Sequence, residues 1–112
     1  MTTIYHNPRC SKSRQTLALL GEHGIEPEVI EYLETPPSAA ELKEILNMLG
    51  IAPRDLLRKK EAREAGLNDP DMGDVALIEA MAANPIVIER PIVVNNGKAA
   101  LGRPPESVVD IL

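Results

Sequence analysis

The stretch Thr2-Thr3-Ile4-Tyr5-His6-Asn7-Pro8-Arg9-Cys10-Ser11-Lys12-Ser13-Arg14 decides the fold, because it passes from a strand to a helix through a polar turn holding the chain's single cysteine. Thr2 to Tyr5 have the β-branched and aromatic character of a short strand. Leu17, Ala18, Leu19 and Leu20 read as a helix that Gly24 stops. Cys10 therefore falls at or just before a helix N-terminus, where unpaired N–H groups and the helix dipole favour an anion such as a thiolate. Arg9, Lys12 and Arg14 add positive charge, and the hydroxyls of Ser11 and Ser13 supply donors for the sulfur. A free cysteine in a small protein is commonly a buried, inert hydrophobe. Such a residue sits among apolar neighbours, whereas Cys10 sits among Arg, Ser, Lys and Ser, and the turn predicts a reactive thiol.

Outward from the first helix, Glu28 to Leu33 follows Pro27 and reads as a second strand, which implies a parallel crossover with the first. Ser38 with Glu41 forms a capping-box signature, and Leu42, Ile45, Leu46 and Leu49 mark one face of a helix that Gly50 closes. Pro53 starts a short helical segment carrying Leu56, Leu57 and Arg58-Lys59-Lys60, followed by a polar loop over residues 61 to 73. Asp74 is placed to cap the next helix, with Leu77, Ile78 and Met81 inward. Ile86-Val87-Ile88 and Ile92-Val93-Val94 are the most strand-like runs, and Asn95-Asn96-Gly97 turns the second into a hairpin with Lys98 to Leu101. A final helix puts Val108, Val109 and Leu112 inward. The order predicts an α/β sandwich, a mixed β-sheet covered by helices, with the Cys10 turn near the Arg90-Pro91 junction if the first and third strands are neighbours.

At 112 residues the chain is expected to be one domain over residues 1–112. One cysteine excludes an internal disulfide, and two histidines give no cluster resembling a metal site. A reduced, cytoplasmic location is the expectation, with no membrane segment. The aromatics are confined to Tyr5 and Tyr32, which removes the stacking platforms of single-strand nucleic-acid binding. The net charge is −5, yet the first sixteen residues hold Arg9, Lys12 and Arg14 without an acid, a local cationic site suited to a small anionic substrate.

His6-Asn7-Pro8-x-Cys10-x-x-Ser13-Arg14, Tyr32-Leu33-Glu34-Thr35-Pro36-Pro37, Leu57-Arg58-Lys59, Arg90-Pro91-Ile92-Val93-Val94 and Gly102-Arg103-Pro104 together resemble the ArsC-type, glutaredoxin-linked arsenate reductase family, closest to its short YfgD-like branch. The resemblance spans nearly the whole chain. It implies a thioredoxin-like fold in which Cys10 attacks arsenate, Arg58, Arg90 and Arg103 hold the oxyanion, and His6 and Ser13 favour the thiolate. It also implies a cis peptide bond at Pro91, with glutathione as co-substrate, glutaredoxin as partner, no bound cofactor and a monomeric chain.

The residues by themselves agree with these roles, since a tetrahedral oxyanion suits the forked, permanently charged guanidinium. They leave other readings open. Arg58 also reads as a surface cation at a helix C-terminus, Arg90 as a strand-end ion-pair partner and Arg103 as a surface residue before a helix. His6 also reads as a structural histidine and Ser13 as a first-turn hydroxyl. An alternative function is a redox-responsive regulator or interaction protein of the thioredoxin-like fold. Regulators of that kind use a C-x-x-C switch, however, and here Ser13 occupies the second position.

Overall fold

In the computed structural model, which describes residues 1–112, β1 (Thr2–His6) leads through the cysteine turn into α1 (Ser11–Glu22) and on to β2 (Glu28–Glu31). β3 (Ile92–Asn95) and β4 (Lys98–Leu101) complete a four-stranded sheet of order β2-β1-β3-β4. β1 and β2 run parallel, with Ile4 opposite Val29, while β1 and β3 run antiparallel, with Tyr5 opposite Ile92. The first and last large strand-forming runs are therefore neighbours. Asn96 at φ 52 and Gly97 at φ 80 make the turn between β3 and β4, a left-handed pair matched to the twist of a hairpin. β2 lies at one edge of the sheet, and its Glu28, Val29 and Glu31 are exposed.

Met1–Thr35 and Arg90–Leu112 form one unit of the chain, and Pro36–Glu89 forms a second. In the first, α1 and a 3-10 helix over Pro105–Ile111 pack together around Ile4, Leu20, Val93 and Val108, all fully buried. Thr2 Oγ1 donates to Asn95 Oδ1 (2.9 Å), and Asn95 Nδ2 donates to the Ile111 carbonyl (2.7 Å), tying the 3-10 helix to β3. The last segment differs from the expected α-helix. With three residues per turn, a 3-10 helix aligns Pro105, Val108 and Ile111 on one side. Val109 and Leu112 fall one position further round, so they are partly exposed at 36% and 37% rather than inward.

In the second unit α2 (Ala39–Leu49) packs with α4 (Asp74–Ala83), burying Leu42, Ile45, Leu46, Leu77 and Met81. The Ser38/Glu41 capping box forms in both directions, and Gly50 takes the left-handed conformation that ends α2. Gly73, not Asp74, is the N-cap of α4.

The chain departs from expectation elsewhere in this unit as well. Residues 61 to 73 are not all loop, because α3 (Lys59–Glu64) runs into them, and Arg58 is its N-cap rather than a residue at a helix C-terminus. The charged sequence of α3 buries only Ala62, so it shows no apolar periodicity to read. Ile86-Val87-Ile88 is not a strand. Pro85 has no N–H and opens a 3-10 turn over Pro85–Val87, in which the Val87 amide donates to the Asn84 carbonyl and the Ile88 amide to the Pro85 carbonyl. The amides a strand needs are thus committed locally, and only a single bridge joins Leu57 to Ile88. No helix is long and apolar enough to cross a membrane.

Candidate active site

Cys10 is the N-cap of α1, in extended conformation (φ −94, ψ 122), with its sulfur making no cap bond and its side chain partly exposed. The turn that presents it is built largely by Asn7. The Asn7 carbonyl accepts the Cys10 N–H, its side-chain Oδ1 accepts the Arg9 N–H and its own N–H donates to Ser13 Oγ, each at 3.0 Å. Arg14 closes the turn from the helix side, Nη1 donating to the Pro8 carbonyl at 2.9 Å. Asn7 belongs to the motif but was not among the expected site residues. The available signal is its type, since asparagine before a turn folds the backbone by bonding an amide two residues on.

Ser13 and His6 meet each other, His6 Nδ1 lying 2.6 Å from Ser13 Oγ. Both are buried. When His6 is neutral with its proton on Nε2, Ser13 accepts from Asn7 N–H and donates to Nδ1, which satisfies both ends. Burial lowers the His6 pKa below its ordinary 6.5, Glu31 opposes that shift and the Arg14 charge adds to it. Burial therefore favours the neutral imidazole.

From the far side of the same unit comes Arg103, whose Nη2 lies 3.7 Å from Cys10 Sγ. Its Nε donates to the Arg90 carbonyl at 2.8 Å, and the adjacent Gly102 N–H donates to the Pro91 carbonyl at 2.9 Å. The segment after β4 is thereby zipped onto the segment before β3, continuing the Ile92–Leu101 pairing. The Arg90–Pro91 peptide is cis, and so is Arg103–Pro104, which the sequence reading did not anticipate. One cluster therefore gathers Cys10, Arg103 and the Arg90-Pro91 backbone, beside the His6–Ser13 pair.

Arg58 belongs to the second unit. Its N–H donates to the Val87 carbonyl at 2.7 Å, and its Nε pairs with Glu61 Oε2 at 3.1 Å. Nη1 of the same guanidinium is buried without a hydrogen-bond partner. A buried charged nitrogen left in that state favours any acceptor brought to it.

The model of the ArsC family matches residues 5–111. YfgD of Escherichia coli strain K12 is 57% identical over 112 residues, covering 97% of this chain and 94% of its own length. An arsenate reductase of Neisseria meningitidis is 52% identical over 112 residues, covering 97% and 96% respectively. Among solved structures, an arsenate reductase from Vibrio cholerae superposes with a TM-score of 0.95 at 54% identity, over 99% of this chain and 97% of that one. The mixed sheet and its helices are of the thioredoxin-like α/β type shared with these relatives.

Proposed function

The chain belongs to the ArsC family, and from that membership together with the geometry around Cys10 we propose that it reduces arsenate to arsenite, with glutathione and a glutaredoxin as reductants. The observation that carries the reading is the approach of Arg103 to the sulfur, 3.7 Å from Cys10 Sγ while braced on the Arg90 carbonyl. A guanidinium so placed neutralises a thiolate and meets the oxygens of a tetrahedral anion that the thiolate attacks. Arg90 supplies a second fork of the oxyanion site, and the family resemblance gives Arg58 as the third. The unpartnered Nη1 of Arg58 supports its share.

In the reaction, Cys10 Sγ bonds to arsenic and one arsenate oxygen leaves as water. External thiols then supply two electrons and become a disulfide, arsenic passes from As(V) to As(III), and arsenite departs as the Cys10 thiol is restored. The thiols act in trans because the chain has one cysteine and no resolving partner. His6 and Ser13 act on the thiolate through the turn they brace, which Asn7 joins to Cys10. A monomer in the reduced cytoplasm, where glutathione is abundant, suits a single-cysteine enzyme.

The test is an arsenate reduction assay with glutathione and glutaredoxin. Wild type turns over and Cys10→Ser does not. Each of Arg58→Ala, Arg90→Ala and Arg103→Ala removes a charge-assisted contact worth roughly 1.5–3 kcal/mol and loses about tenfold or more in kcat/KM. Undetectable reduction by wild type with saturating partners refutes the substrate, and full activity in all three arginine variants refutes the site.

A further inference from the structure

Of the seven glycines, Gly102 alone has neighbours where a Cβ would stand. A methyl there would run into Thr16 Oγ1, come within 2.7 Å of Pro91 Cγ and within 3.1 Å of Thr16 Cγ2. Its backbone does not call for glycine, because the positive-φ glycines are Gly24, Gly50, Gly66 and Gly97. Space, not conformation, is what Gly102 provides.

Neither neighbour yields easily. Thr16 is fully buried in α1, is stiff at χ1 as a β-branched residue, and is held by Oγ1 donating to the Lys12 carbonyl at 2.8 Å. Pro91 is a ring built into the backbone and buried, and its carbonyl already accepts the Gly102 N–H. Relief of a clash must therefore come from moving the Gly102-Arg103 segment away from α1. That helix carries Thr16 within it and Cys10 at its N-cap, while the segment carries Gly102 and Arg103 side by side. The gap between Thr16 and Gly102 and the gap between Cys10 and Arg103 are two points on one seam.

We propose that Gly102 is a positioning residue for oxyanion recognition, its missing side chain letting the segment close on Thr16 and so setting the reach of Arg103 to the sulfur and to the anion. This rests on the arsenate reading. The role is dimensional: a displacement approaching 1 Å at a site that aligns reacting groups costs on the order of tenfold to a hundredfold.

The test follows protection of Cys10 from iodoacetamide, a neutral reagent, by increasing arsenate and, separately, inorganic phosphate, on the full chain. Wild type is protected. In Gly102→Ala the arsenate concentration for half protection, read relative to the variant's own alkylation rate without anion, rises about tenfold. Thr16→Ala loosens the same seam and also weakens protection. The double variant, with the alanine methyl filling the space vacated by Thr16, recovers most of it, a coupling that independent structural losses do not produce.

Equal half protection in wild type and Gly102→Ala overturns this inference and leaves the arsenate reading standing. A wild type that no arsenate concentration protects removes both. If Gly102→Ala does not fold, Thr16→Ala and the double variant decide: tighter protection in the double supports the seam, and equal or weaker protection overturns it.

Discussion

Ser13 Oγ is shared by the His6 ring and the Asn7 amide, and its loss would leave two buried polar groups without their partner. Ser13→Ala is expected to cost roughly 1–3 kcal/mol, read as a lowered urea midpoint. The His6 imidazole adds a pH dependence with a definite sign. Below its ordinary value of 6.5 an unfolded chain takes up a proton that buried His6 resists, so the unfolded state binds more protons. The contribution to stability is therefore intact above about 6.5 and is lost as pH falls through the lowered native value. Urea midpoints declining as pH falls below neutral, a decline that shrinks in His6→Gln, together with a His6 NMR titration centred below 6.5, are the expected results. The spacing of His6, Cys10 and Ser13 across a strand-turn-helix marks all three in the sequence. That His6 and Ser13 bond each other is not legible there, because it depends on how Asn7 folds the backbone between them.

Among the elements, α2 is the one whose two ends are both written in side-chain chemistry, Ser38 with Glu41 at the start and Gly50 at the stop. Ser38→Ala removes the acceptor for the Glu41 amide and is expected to cost about 0.5–2 kcal/mol by thermal or urea unfolding. Glu41→Ala removes only the reciprocal bond to the Ser38 amide, so its cost is smaller. Caps of this kind are legible because the interaction is local. Ile86-Val87-Ile88 shows the opposite case: Val87 and Ile88 are apolar because they are buried, and burial alone does not separate a strand from a 3-10 turn. Pro85 was the informative residue, and it outweighed three β-branched neighbours.

For the molecule as a whole, the pairings of β1 with β2 and of β3 with β4 follow from the parallel crossover and the hairpin turn, which local residues announce, whereas the β1–β3 pairing that orders the sheet is not announced by any local residue. The second unit is less legible, being made of short helices and turns with weak periodicity. Its chain enters after Thr35 and leaves before Arg90. We expect one calorimetric unfolding transition for the chain, with calorimetric and van't Hoff enthalpies in agreement, as for a single domain over residues 1–112. Two resolved transitions would contradict it. As the edge strand of the sheet, β2 has one row of backbone donors and acceptors without a strand partner. In another protein that row would be a template for a neighbouring copy to add its own strand. Here Glu28 and Glu31 stand on it, and a second chain laid alongside in antiparallel register brings carboxylate against carboxylate. The same carboxylates that make the protein acidic thus disfavour addition of a second copy's strand at this edge.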